Sequence, residues 1–298
     1  MVANKHQPIG WDAAESCARD LVRLALSEDL ESGKDVTTHA LVPRDRQGAA
    51  RVVAREAGVV CGLPVGELIR EEFNACFAWR PQREDGDLLV AGDCVATLAG
   101  PAHELLTCER TLLNFLGRLS GVATLTHRYA QAIEGSTAHV YDTRKTTPGW
   151  RRLEKYAVAC GGGMNHRLGL HDAVLIKDNH LALAAEHGVS LAEAVEKART
   201  QSPPNVVLQV EVDTLQQLQQ ALNVKPDIVL LDNMTCDQLR TAVEHRDSTA
   251  NEVQLEASGG VTLATIAEIA ATGVDRISVG ALTHSARSLD LGLDWQQA

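Results

Sequence analysis

The chain has 298 residues, 45% of them apolar and 22% charged, and its net charge is −11. At about 150 residues per domain this length suits two domains or one large barrel, and the composition excludes disordered, collagen-like and fibrous classes. The acid excess and an aromatic content of 3% argue against a nucleic-acid or anionic-membrane surface. No run approaches the roughly 18–20 apolar residues of a membrane span. The N-terminal MVANKHQPIGWDAAESCARD lacks the apolar core of a secretory leader, so a cytoplasmic protein is expected. The seven cysteines are odd in number, widely spaced and without a CxxC pair. They read as reduced thiols rather than as a disulfide framework or a structural zinc site.

Residues 12–30 carry apolar positions at helical spacing and predict a helix. The polar stretch ESGKDVTTHALVP follows, where Asp35, Thr37 and Thr38 read as a helix-capping or turn element. RVVAREAGVVCG is β-rich, PVGELIREEF predicts a helix, and GDLLVAGDCVATLAG predicts two short strands about a Gly-Asp turn. These elements predict a small α+β domain over residues 1–114, onto which the tail 285–298 is expected to pack. From 101 to 134 the apolar residues recur every three or four positions. That pattern predicts one or two long helices, kinked at Gly117 or Gly121, with the domain boundary near 115.

In the second part, 115–284, short β-branched runs alternate with helical segments. Strands are predicted at 138–143, 172–178, 206–213, 227–233, 253–260 and 275–281. The helices between them are RLEKYAVACGG, LAEAVEKARTQ, LQQLQQALN, CDQLRTAVEHR and LATIAEIAATG. The runs are nearly continuous in Val, Ile and Leu, as strands buried on both faces should be, and the alternation predicts a parallel sheet. Glu211 to Asp232 is 21 residues and Asp232 to Glu256 is 24, the rhythm of βα units in a barrel. An open doubly wound sheet is the alternative, although no GxGxxG follows the first strand.

In such a barrel the functional residues sit at the C-terminal strand ends. Here those ends are polar: Thr143-Arg144-Lys145, Lys177-Asp178-Asn179, Glu211 with Asp213, Asp232-Asn233, Glu256 to Gly260, and Ser278 to Ala281. Residues 141–180 hold seven Lys or Arg against four acids, together with His166, His171 and His180. A basic pocket in an acidic protein suits a small, highly anionic ligand, because a cleft focuses the field. Arg151, Arg152 and Lys155 also fit a solvated helix face; Arg144, Lys145 and Lys177, which terminate apolar strands, do not. Arginine forks match carboxylates, so Arg110, Arg144 and Arg167 with Lys177 suit a dicarboxylate. Gly259-Gly260 and Gly280 allow backbone N–H groups to approach a phosphate. Glu211 and Asp232 read as Mg²⁺ or hydroxyl ligands, as stabilisers of a cation-like sugar, or equally as ion-pair partners of the lysines. Gly161-Gly162-Gly163 reads as a flexible loop, with a phosphate cradle as the alternative, and Cys160 and Met164 as packing residues.

The block AHVYDTRKTTPGWRRLEKYAVACGGGMNHRLGLHDAVLIKDNH resembles the quinolinate phosphoribosyltransferase (carboxylating nicotinate-nucleotide pyrophosphorylase) family. SEDLESGKDVTT, ERTLLNFLGRLSGVAT, EVD, LLDN, EASGG and ISVGALTHS extend the resemblance over nearly the whole chain. The resemblance implies conversion of quinolinate and phosphoribosyl pyrophosphate into nicotinate mononucleotide, pyrophosphate and CO₂, with Mg²⁺ required. It implies an N-terminal α/β sandwich and an incomplete, seven-stranded parallel α/β barrel, one strand more than the pattern reveals. It further implies a homodimer or higher assembly in which Arg110, in CERTLLN, completes a neighbouring site. Arg144 and Arg167 would hold the quinolinate carboxylates, with Lys177 beside them and His166 and Thr143 lining the pocket. Lys145 would lie between pyridine and pyrophosphate, and Glu211 and Asp232 would hold ribose hydroxyls and the shell of a metal carried mainly by pyrophosphate and water. Ser258, Gly259 and Gly260 with Val279, Gly280 and Ala281 would bind the 5-phosphate. Lys145, Lys177, Glu211 and Asp232 are thus the expected catalytic residues. The rival readings are a sister transferase acting on another base, a Schiff-base aldolase using Lys177, and a non-catalytic phosphate-ligand sensor.

Overall fold

The computed structural model describes residues 8–31 and 33–296. The first seven residues of the N-terminal stretch and the last two of the C-terminal tail lie outside that range. In chain order the first elements are α1 (Glu15–Leu30), α2 (Val36–Leu41), β1 (Gln47–Ala54), β2 (Gly58–Val59), α3 (Pro64–Glu72), β3 (Ala78–Pro81), β4 (Leu88–Leu89), β5 (Cys94–Pro101) and α4 (Ala102–Ala132). Then come β6 (His139–Tyr141), α5 (Arg151–Cys160), β7 (Ala173–Ile176), α6 (Asp178–Glu186), α7 (Leu191–Gln201), β8 (Val207–Val212) and α8 (Leu215–Asn223). The chain closes with β9 (Ile228–Asp232), α9 (Cys236–Thr249), β10 (Gln254–Ser258), α10 (Ile266–Ala270), β11 (Arg276–Ser278), α11 (Ala281–His284) and β12 (Leu291–Trp295).

These elements form two compact units that interleave along the sequence. One contains Pro8–His127, Thr146–Gly162 and the segment from Leu282; the other contains Arg128–Lys145 and Gly163–Ala281. The single cut expected near residue 115 therefore does not describe how the units part. It falls inside α4, one unbroken helix of 31 residues. Gly117 and Gly121 lie inside that helix and leave room for the C-terminal segment. A Cβ at Gly121 would stand 2.0 Å from the Arg287 carbonyl oxygen, and the Leu289 N–H donates to the Gly117 carbonyl at 2.9 Å.

The first unit is built on an antiparallel sheet of order β12-β1-β5-β3. The C-terminal segment supplies β12, which pairs with β1 in the register Ala50↔Trp295. Asp35 caps α2, its carboxylate accepting from the Thr38 N–H at 2.9 Å. On α5, Glu154 and Lys155 are fully buried, so the solvated-face reading fails for Lys155. The Glu154 carboxylate receives the Arg118 guanidinium and the Thr147 N–H and hydroxyl, which compensates its burial. Gly161 is packed rather than loose: a Cβ there would lie 2.3 Å from the Ala123 carbonyl oxygen.

The second unit holds a six-stranded sheet of order β6-β11-β10-β9-β8-β7, parallel at every pairing. All six predicted strands are present, and the first in sequence lies beside the last. Val210, Val229, Leu231, Leu255 and Ile277 are inaccessible to solvent. Each such side chain contributes about 1.5–3 kcal/mol of transfer free energy. On the free side of β6, Tyr141 forms an isolated parallel bridge with Met164, whose N–H donates to the Val140 carbonyl at 2.8 Å. The periodicity predicts α7 and α8 at their observed bounds but misses α6, which has no buried residue and hence no apolar stripe to read. Among the described residues no helix is long and apolar enough to cross a membrane.

Candidate active site

At the C-terminal ends of β6 to β11 the strand-end residues surround one cavity of about 440 Å³. Thr143, Arg144, Lys145, His166, Arg167, Lys177, Glu211, Asp232, Ser258, Gly259 and Gly260 line it. Leu175, Leu230, Asn233, Glu256 and Ser278 complete the wall. Arg110 lies outside this set, exposed on α4. Val279, Gly280 and Ala281 are not among the lining residues either; at that strand it is Ser278 that borders the cavity.

The cationic part is assembled by Asp142, which is fully buried at the end of β6. Its carboxylate accepts from the Asn165 amide at 2.8 Å and from the His166 N–H at 2.7 Å. Asp172 fixes the following turn by accepting from the Leu168 and Gly169 N–H groups. Arg167 is 7% exposed and reaches back to the Ala173 carbonyl at 3.3 Å. Burial lowers its affinity for a proton, and the like charge of Arg144 lowers it further. The Arg144 Nε is buried without a hydrogen-bond partner. Two guanidinium groups thus share one cavity, and an anion held by both would relieve their repulsion.

Beneath the cavity lies a buried ionic group. Arg276 Nε donates to Glu256 Oε2 at 2.7 Å, with both residues inaccessible to solvent. Ser278 donates to the other carboxylate oxygen, and His166 Nε2 lies 3.4 Å from it. The Arg167 N–H donates to His166 Nδ1 at 2.7 Å, which leaves the ring proton on Nε2, facing Glu256. Burial alone would raise the Glu256 carboxyl, but His166, Arg276 and Ser278 outweigh it and hold the group well below the usual range. The Arg276 guanidinium lies 3.6 Å above the centre of the Tyr141 ring, an arrangement worth about 2 kcal/mol when desolvated.

On the opposite wall, Lys177 Nζ lies 3.3 Å from Glu211 Oε2. Asp232 accepts from the Asn233 amide at 2.7 Å, and the Asn233 N–H donates to the Ser258 carbonyl at 2.9 Å. Gly259 and Gly260 have φ of +96° and +59°. A Cβ at Gly259 would stand 2.1 Å from Asn233 Oδ1, so glycine is required for this approach. Arg144, Lys145, Arg167 and Lys177 therefore meet Glu211 and Asp232, while Glu256 is answered by Arg276. The balance favours an anion. Among the described residues the one group of three acid, Cys or His side chains close enough to share a metal lies elsewhere, so the cavity has no all-protein cation cage.

Glu256, Ser278 and Asn233 were legible as polar strand ends but carried no assigned role. Arg276 was missed. Its signal is the register, which places it beside Glu256 in the neighbouring strand.

Residues 35–120 match the family described as quinolinate phosphoribosyl transferase, N-terminal domain, and residues 122–294 match its C-terminal domain. The carboxylating nicotinate-nucleotide pyrophosphorylase of Mycobacterium leprae is 45% identical over 95% of this chain and 99% of its own. A decarboxylating quinolinate phosphoribosyltransferase of Nicotiana tabacum is 38% identical over 92% of this chain and 81% of its own. The solved nicotinate-nucleotide pyrophosphorylase of Francisella tularensis superimposes with a TM-score of 0.88 at 38% identity, covering 94% of this chain and 96% of that one. With both family domains matched in order and a strand-end cavity rich in guanidinium groups, the chain belongs to the quinolinate phosphoribosyltransferase family.

Proposed function

We infer that the protein transfers the phosphoribosyl group of phosphoribosyl pyrophosphate to quinolinate with loss of CO₂, yielding nicotinate mononucleotide for NAD synthesis. The observation that carries this reading is the Arg144–Arg167 pair, two guanidinium groups of like charge in one cavity. Such a pair suits a dicarboxylate better than a monocarboxylate, since each fork can take one carboxylate.

Quinolinate is held by Arg144 and Arg167, with Lys177 and His166 alongside. The ring nitrogen forms a bond to C1 of the ribose as the bond from C1 to pyrophosphate breaks, and pyrophosphate departs with the electron pair. Lys145 offsets charge on that leaving group, Glu211 and Asp232 hold the ribose hydroxyls, and Ser258 to Gly260 cradle the 5-phosphate, with the Val279–Ala281 segment behind Ser278. The quaternary nitrogen then draws electrons toward C2, the bond to the 2-carboxylate breaks, CO₂ leaves, and a solvent proton satisfies C2. The protein's share is orientation and preorganised charge.

Glu211 and Asp232 offer hard oxygen donors that suit Mg²⁺. Each already has a partner in Lys177 or Asn233, so they fit a water-mediated shell around an ion carried by the pyrophosphate. When bound, the ion neutralises developing charge on phosphate oxygens. The strand order, with the Met164 bridge beside β6, reads as an incomplete seven-stranded barrel accompanied by an α/β sandwich. Arg110, exposed on α4, reads as the residue a second copy receives in a homodimer. The seven free cysteines suit a reducing cytoplasm. Lys177 is half-exposed and ion-paired to Glu211, unlike a Schiff-base lysine set by burial.

The reading is tested by offering the enzyme phosphoribosyl pyrophosphate and Mg²⁺ with either quinolinate or nicotinate. Nicotinate mononucleotide should form from quinolinate only; formation from nicotinate alone would assign a sister transferase.

A further inference from the structure

Outside the active-site cavity, the fold brings together three groups that the sequence keeps apart. Cys61 follows β2, Asp85 lies in the turn before β4, and Cys160 ends α5. One ligand atom from each lies within 4.8 Å of the other two. All three belong to the unit built on the antiparallel sheet. Cys61 is fully buried and Cys160 partly buried. Asp85 Oδ2 accepts from the Gly62 N–H at 3.0 Å and from the Tyr156 hydroxyl at 2.7 Å, while Oδ1 accepts from the Leu63 N–H at 3.0 Å. Those bonds occupy both lone pairs of Oδ2 and leave one on Oδ1. They explain Asp85 as a brace for the turn entering α3, but not why two cysteines converge on it.

We propose that Cys61, Cys160 and Asp85 form a binding site for a thiophilic divalent cation of the zinc class, distinct from the Mg²⁺ of the phosphoribosyl transfer. The donor set is two sulfurs and one carboxylate oxygen, which zinc accepts in a four-coordinate shell with an open position for water. A cavity of about 610 Å³, lined by Asp85, Tyr156, Leu63 and Glu84 among others, borders the cluster on its Asp85 side. A divalent ion would exchange the two thiol protons for two metal–sulfur bonds and release the protons to solvent. Absence of a CxxC pair hid the site, since its cysteines lie at opposite ends of a long stretch of chain.

The test titrates the metal-free, full-length protein with Cd²⁺ alone and follows the thiolate-to-cadmium charge-transfer absorption. One equivalent should bind with this band and raise the thermal midpoint, and Zn²⁺ should displace it. Cys61→Ser and Cys160→Ser should each lose both effects, while Cys236→Ser retains them. Cys160 is only partly buried, so its variant keeps the test decisive if Cys61→Ser folds poorly. No band in the wild-type protein, or a band that survives Cys160→Ser, would overturn the proposal and leave a turn brace with two neutral thiols.

Discussion

Glu256 and Arg276 sit opposite each other in adjacent parallel strands, joined by a 2.7 Å hydrogen bond where neither touches solvent. A pair in that position is costly to break, because the survivor keeps an uncompensated charge in a medium that cannot solvate it. Arg276→Met should therefore destabilise the protein by about 3–5 kcal/mol in urea unfolding. A loss below about 1 kcal/mol would show that the pair is not buried as described.

The same pair sets an acid limit. Burial opposes ionisation of Glu256, but His166 and Arg276 depress its carboxyl below the ordinary value of 4.5. A depressed folded-state value means that stability is fully present above the unfolded value and is lost as pH falls toward the folded one. Unfolding free energy should decline as pH drops below about 4.5, and Glu256→Gln should flatten that decline. An unchanged acid slope in the variant would assign the pH dependence to other carboxylates.

Arg144 and Arg167 make the most specific claim about substrate. Lysine keeps the charge but not the planar fork, so Arg167→Lys is not a conservative change. Arg144→Ala and Arg167→Lys should raise KM for quinolinate on the order of 10²-fold, with KM for phosphoribosyl pyrophosphate much less affected. Steady-state kinetics with each substrate varied in turn separates the two. Equal rises in both constants would indicate a general collapse of the cavity.

Lys177, paired with Glu211 at 3.3 Å, is a single preorganised charge at the cavity wall. Lys177→Ala should lower kcat on the order of 10²-fold or more. Wild-type turnover in that variant would remove the residue from the mechanism.

Arg110 is exposed in the single chain, so Arg110→Ala should leave the thermal midpoint unchanged while lowering activity. Mixing this variant with Lys177→Ala after subunit exchange should restore part of the activity, because one of the hybrid's two sites then holds both native residues. No restoration in confirmed hybrids would place Arg110 outside a shared site.

Much of the parallel unit was legible in the chain. Each of its six strands announces itself as an apolar run ending in polar residues, and the cavity gathers those ends from Thr143 to Gly260. What escaped depends on partners distant in sequence. β12 is a five-residue strand containing a glycine, and only β1 makes it a strand. The close approach that Gly117 and Gly121 allow was hidden because the segment they admit arrives more than 150 residues later. Lys155 looked solvated because helical spacing gives a face but not its surroundings. Arg276 and Glu256 became a pair only through strand register. Met164 could not be read as a strand because it contributes a single bridge.

Joining phosphoribosyl transfer to decarboxylation is the property that sets this cavity apart from a simple transferase site. It is tested most directly by release of labelled CO₂ from quinolinate carrying the label in its 2-carboxylate, with and without phosphoribosyl pyrophosphate and Mg²⁺. Release that requires both, in proportion to nicotinate mononucleotide formed, is the predicted result. Folded enzyme that releases no label with both present, or releases it without phosphoribosyl pyrophosphate, would contradict the account.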